Sequence, residues 1–79
     1  MPNKEKYDQV FIESFSLPAD AAVAKLAYQS ITEWDSVGHM GLIANLEEAF
    51  DIMMDMEDII DFSDYKTGIE TLKKYQIKI

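Results

Sequence analysis

Seventy-nine residues, 48% of them hydrophobic and none of them cysteine, describe one small domain over residues 1–79 and exclude disulfides and thiolate metal sites. A chain this short buries only about 60% of the surface its unfolded form exposes, so neither a deep active-site cavity nor catalysis is expected of it. The formal net charge of −8 argues against nucleic acid as a partner, and the lack of an apolar leader or of about 20 consecutive apolar residues predicts a soluble, cytoplasmic protein without a membrane span; a monomer is expected.

Apolar Tyr7, Val10, Phe11 and Phe15 recur at spacings of three and four, which predicts an amphipathic helix from about Asn3 to Phe15 with Asn3 as its N-cap. Leu17-Pro18 is expected to end it, because the residue before a proline is pushed out of helical geometry. Residues 19–33 are ambiguous. Ala21, Ala22, Val23, Ala24, Leu26 and Ala27 fit a short helical turn, whereas Ser30-Ile31-Thr32 looks extended. The stretch reads as a long connection whose Leu26, Ile31 and Trp34 pack on the core. From Ser36 to about Phe50 the helical pattern is strongest: Leu42, Leu46 and Phe50 stack four apart with Ile43 beside them, behind Asp35 as N-cap. Asp51 marks the end, and Met53, Met54, Met56, Ile59 and Ile60 then imply a bend and one short helix. Ser63 or Asp64 caps a last helix with Tyr65, Ile69 and Leu72 on one face. The terminal Tyr75-Gln76-Ile77-Lys78-Ile79 alternates like a strand but has no second strand to pair with. The expected fold is all-α: a small four-helix bundle of three longer helices and one short third helix, with a long connection between the first and second.

The residues that point to chemistry are Asp35 and Ser36, where the second helix begins. A serine there presents its hydroxyl to solvent, and the first backbone N–H groups of the helix point toward anything attached to it. A phosphodiester on that oxygen gains about 0.3–1 kcal/mol from those unpaired groups and the positive end of the helix dipole. Taken alone, an Asp-Ser pair is simply a pair of capping residues. Its surroundings favour more. Asp35-Ser36-Val37, Met40 and then Leu42-Ile43-Ala44-Asn45-Leu46-Glu47-Glu48-Ala49-Phe50-Asp51-Ile52 together resemble the acyl carrier protein family. In that family Asp-Ser-Leu, or a close variant, precedes a helix ending in Leu-Glu-Glu-x-Phe. The resemblance extends more weakly to the first and last helices. It implies that Ser36 accepts a covalent 4′-phosphopantetheine arm from coenzyme A, transferred by a separate, metal-dependent phosphopantetheinyl transferase. The arm's thiol would hold an acyl group as a thioester for enzymes of fatty acid, or of specialised lipid, polyketide or polysaccharide-linked, biosynthesis. Asp35 would orient the serine and contribute to the transferase's metal site during loading.

No lysine or arginine falls between Lys25 and Lys66, an interval that holds Glu33, Asp35, Glu47, Glu48, Asp51, Asp55, Glu57, Asp58, Asp61 and Asp64. For a carrier, Glu47, Glu48, Asp51, Glu57 and Asp58 read as a docking surface for basic patches on acyl-loading and acyl-transfer enzymes. Val37, Met40, Met54 and Met56 would add adaptable apolar contacts, although Met53, Met54 and Met56 serve equally well as core filler. On charge alone a solubilising acidic surface is an equal reading, and an unmodified acidic adaptor is the rival function. The acids make no calcium loop, since no D-x-D-x-D-G run is present. His39 stands near enough to Ser36 to invite a Ser-His dyad, yet no oxyanion hole, orienting third group or substrate pocket is legible beside it. A packing or surface role is expected instead, one that also admits contact with the arm or a partner.

Two features depart from the family pattern. Gly38 and Gly41 stand in the first two turns of the second helix, where carriers of fatty acid synthesis commonly have Asp or Glu. Each glycine costs a helix about 0.8–1 kcal/mol relative to alanine, so both are read as removing charge and bulk beside Ser36 for the partners of a specialised acyl or surface-polysaccharide pathway. The proline common early in the loop before the third helix is missing, with Asp55 nearby.

Overall fold

The computed structural model describes residues 2–79. Helix α1 spans Asn3–Phe15 and buries the predicted seam of Tyr7, Val10, Phe11 and Phe15. Pro2, not Asn3, occupies the position ahead of it. The proline's fixed φ suits entry into a helix, and the Asn3 amide is used elsewhere: it donates to the Lys78 carbonyl at 2.9 Å, tying the two ends of the chain together. The helix stops before Pro18 is reached, because Ser16 turns left-handed at φ 54° and the Leu17 N–H closes back onto the Ile12 carbonyl at 2.9 Å.

Helix α2, Ser36–Phe50, buries Leu42, Ile43, Leu46 and Phe50 and ends the same way, with Asp51 left-handed and the Ile52 N–H bonded to the Glu47 carbonyl. Helix α3 is one short stretch, Met56–Asp61, and α4 runs Tyr65–Lys73 behind Asp64, whose side chain caps the Thr67 N–H. The fold is all-α, with three longer helices and a short third. Among the described residues no strand forms, and no helix is long and apolar enough to cross a membrane.

Residues 16–35 form the long connection, with a 3₁₀ turn at Val23–Lys25. Ser30-Ile31-Thr32 departs from the extended expectation: the Ser30 N–H bonds the Ala27 carbonyl and the Trp34 N–H bonds the Ile31 carbonyl, so this stretch is two tight turns. Leu26 is the extended residue, and Ala27 after it bridges antiparallel to Asp64. The Tyr28 N–H donates to Ser63 at 2.8 Å and the Tyr65 N–H to Leu26 at 3.0 Å, so the connection is stitched to the start of α4.

Trp34 is fully buried, 5.6 Å from the Phe11 ring and 5.4 Å from the Phe15 ring, and it delivers the connection into the core immediately before α2 begins. Phe62 and Tyr65 complete this aromatic centre. Gly68 allows α4 to approach it: a Cβ there would overlap the Tyr7 hydroxyl and the Phe62 ring. The buried Tyr7 phenol donates to the Tyr65 carbonyl at 2.7 Å, and burial holds its pKa well above the usual tyrosine range.

Candidate functional site

The site is built around the first turn of α2. Asp35 is extended, and its Oδ1 accepts the Gly38 N–H at 2.8 Å while its carbonyl accepts the His39 N–H at 2.7 Å. That leaves the N–H groups of Ser36 and Val37, at the positive end of the helix, without intrahelical acceptors. Ser36 is exposed, and its hydroxyl is 3.0 Å from the Tyr28 hydroxyl. Both line a cleft of about 340 Å³ between the start of α2, the connection and α3. Phe62, Ile59 and His39 form its inner lining, with the exposed Met40 and Ile60 nearer solvent.

His39 is a packing residue. The Trp34 indole N–H donates to its Nδ1 at 3.0 Å, and its Nε2 lies 2.8 Å from the Ile59 carbonyl. An indole can only donate and a carbonyl can only accept, so the ring proton sits on Nε2 and both nitrogens are engaged. The imidazole also lies nearly parallel to the Trp34 ring, at 13°, and meets the Phe62 ring edge-on. It thereby couples α2 to the core on one side and to α3 on the other. Its nitrogens bond Trp34 and Ile59, while the Ser36 hydroxyl bonds Tyr28; the pair is not arranged as a base and a nucleophile.

Gly38 and Gly41 have different reasons to be glycine. A Cβ on Gly38 would overlap the Glu33 carbonyl oxygen, so the turn that delivers Asp35 to its capping position requires a bare backbone there. The expectation that Gly38 lacks a side chain for the sake of partners is corrected accordingly. Around Gly41 nothing lies within 4 Å of where a Cβ would go.

The expected docking residues divide in the same way. Val37, 82% exposed, and Met40, 56% exposed, flank Ser36, and Glu48, Asp51 and Glu57 point to solvent. Glu47 is half-buried and accepts the Met54 N–H at 2.8 Å, which fastens the loop after α2. Two residues are corrected outright. Met54 belongs to the core, its side chain buried with Phe50 and the α1 seam. Asp58 is buried between the Lys74 ammonium at 2.9 Å and the Tyr75 hydroxyl at 2.6 Å, which together hold its carboxyl below the usual aspartate range. The loop that lacks the customary proline is thus pinned twice, by Glu47 at Met54 and by the Tyr75 hydroxyl, which accepts the Asp55 N–H at 2.8 Å.

Three exposed apolar side chains lie on the α3 side: Met53, Met56 and Ile60. Ile60 and Tyr28 were not legible as site residues, the first because its helix is too short to show a face and the second because it lies in a stretch without periodicity. Among the described residues no group of three or more acidic, histidine or cysteine side chains is placed to hold a metal ion. Comparison of the chain with family models, with curated proteins and with solved structures returns no match.

Proposed function

We propose that this protein is an acyl carrier, with Ser36 the attachment point of a 4′-phosphopantetheine arm derived from coenzyme A. The observation that carries the reading is an exposed serine hydroxyl at the first residue of a capped helix, at the mouth of an apolar cleft. A phosphodiester fits this position. The Ser36 and Val37 N–H groups are free to face it, the end of the helix favours its charge, and the hydroxyl is open to a large incoming enzyme. Loading forms an Oγ–phosphorus bond as the phosphoanhydride of coenzyme A breaks. Adenosine 3′,5′-bisphosphate leaves, and the serine proton passes to a base of the phosphopantetheinyl transferase. The bound arm supplies a thiol for thioester chemistry; the chain's own residues anchor, orient and expose it.

In this reading the four helices are a four-helix bundle with its long connection crossing to the start of α4, and the protein is a cytoplasmic monomer without catalytic residues of its own. Asp35 orients Ser36 by capping the turn that bears it. Glu48, Asp51 and Glu57, with Val37 and Met40, form the surface offered to basic patches of loading and transfer enzymes, in encounters that are fast and weakened by salt. A dedicated, specialised pathway is favoured by the open Gly41 alone, since Gly38 has a reason within the fold.

Intact-mass measurement after incubation with coenzyme A, magnesium and a broad-specificity phosphopantetheinyl transferase tests the reading. One added phosphopantetheinyl group, absent from Ser36→Ala, is expected. No addition under conditions that load a control carrier would overturn it in favour of an unmodified acidic adaptor.

A further inference from the structure

Tyr28 is held in place from three sides. Its backbone N–H donates to the Ser63 carbonyl at 2.8 Å, next to the Ala27–Asp64 bridge. Its ring meets the His39 imidazole edge-on, with centroids 5.7 Å apart at 76°, and that imidazole is itself fixed by two hydrogen bonds. Its hydroxyl is 3.0 Å from the Ser36 Oγ. Within a turn of the connection, the exposed Tyr28 therefore directs its hydroxyl to the serine that begins α2.

The character of this contact depends on the state of Ser36. While the serine is free, both hydroxyls can donate or accept, and the bond is one between neutral groups. Once Oγ carries a phosphodiester it has no proton, so the phenol must donate. The acceptors then bonded to the same phosphorus carry negative charge. A hydrogen bond to an ionised acceptor is roughly twice as strong as one between neutral groups.

We propose that Tyr28 is a positioning residue for the group carried on Ser36, holding the free hydroxyl at the mouth of the cleft and donating to the phosphodiester after loading. The proposal rests on the carrier reading and adds a consequence to it. Because the contact strengthens on loading, the connection and the Ser63 segment to which Tyr28 is bonded are held more firmly in the loaded protein than in the free one.

The test is urea unfolding of the full chain in four forms, free and loaded, with Tyr28 and with Tyr28→Phe, together with the phosphorus-31 spectrum of the loaded forms. The phenylalanine keeps the ring against His39 and removes only the hydroxyl. The folded-to-unfolded ratio gained on loading is expected to be roughly threefold to tenfold smaller in Tyr28→Phe, and its phosphodiester resonance to shift. Tyr28→Leu, which also removes the ring, should start from a lower baseline and lose the same increment. Equal gains on loading with and without the hydroxyl, and an unmoved resonance, would reduce Tyr28 to a packing residue and overturn the proposal while leaving the carrier reading intact. A loss of the increment in Tyr28→Leu but not in Tyr28→Phe would overturn it in the same way. If the wild-type chain gains no mass with coenzyme A and transferase, the carrier reading itself fails, and this proposal with it.

Discussion

The start of α2 and the body of α3 belong to one acidic interval, and the fold treats them in opposite ways. Around Ser36 the residues on either side of it meet the structural demands. Asp35 caps the helix, Gly38 makes room for the Glu33 carbonyl, and His39 turns inward, so that Ser36, Val37 and Met40 are left facing out. Around α3 two of the side chains expected at the surface are taken up by the fold. Met54 fills the core and Asp58 is enclosed by Lys74 and Tyr75 from the end of the chain. Composition does not distinguish these regions. What distinguishes the side chains is whether a neighbouring segment arrives to cover them: Lys74 and Tyr75 enclose Asp58, whereas Ser36, Val37 and Met40, like Met56 and Ile60 of α3, stay exposed.

The largest test of this contrast is at Gly38. A Cβ there meets backbone, which cannot swing aside as a side chain would, so Gly38→Ala is expected to destabilise the protein by about 1–3 kcal/mol in urea unfolding. On the carrier reading it should also slow loading of Ser36 by a phosphopantetheinyl transferase, because the turn that must shift is the one that presents Asp35 and the serine. Loading at the wild-type rate in a destabilised Gly38→Ala protein would separate the turn from the presentation of the site.

Asp58 supplies the counterpart on α3. Asp58→Asn weakens two hydrogen bonds to a buried carboxylate, a loss of about 1 kcal/mol at neutral pH; the Lys74 side chain, 63% exposed, contributes the smaller share. The sign with pH follows from the direction of the shift. The carboxyl is held below its usual range, first by the Tyr75 hydroxyl and then by Lys74, so its stabilisation is fully present above the unfolded-state value and is lost as pH falls through the folded one. Asp64, held low by the Thr67 N–H, acts in the same direction. Stability should therefore decline below about pH 4, and the gap between wild type and Asp58→Asn should narrow over that fall. A gap independent of pH would mean that the two side chains at the chain end do not act through the ionised carboxylate.

The two regions also differ in how far they could be read from sequence. Helix faces were legible wherever the 3.6-residue period ran for three turns: Tyr7, Val10, Phe11 and Phe15 in α1, and Leu42, Leu46 and Phe50 in α2. The cap at Asp35 was legible and that of α4 only as Ser63 or Asp64, because a short polar side chain ahead of an apolar period has a local use; the cap expected at Asn3 was not found. The ends of α1 and α2 fell where expected, at Phe15 and Phe50, but the left-handed turn at Ser16 that ends α1 ahead of Pro18 was not legible, since no glycine announces it. Contacts between segments distant in sequence left no local trace. Asp58 meets residues 16 and 17 positions away, and Tyr28 reaches Ser36 only because the connection is stitched to the start of α4. The histidine beside Ser36 was the nearest thing to an active-site signal, and a tertiary partnership with Trp34 and Ile59 accounts for it.

The smallest expected effect is the most discriminating. Gly41 is separated from Gly38 by less than one helical turn, yet a Cβ there meets open space. Gly41→Ala should therefore stabilise the protein by about 0.8–1 kcal/mol, raising the urea midpoint without changing the slope. Alanine adds no charge and blocks none of the N–H groups at Ser36 or Val37, so on the carrier reading loading by a phosphopantetheinyl transferase should proceed as in the wild type. A more stable, normally loaded protein that is then processed more slowly by an acyl-transfer partner would assign Gly41 to a surface that partner must approach closely. On the carrier reading, processing at the wild-type rate would remove the support that Gly41 gives to a specialised pathway. In either case the two glycines of one helix respond with opposite signs, because a Cβ on one meets a carbonyl of its own chain and a Cβ on the other meets open space.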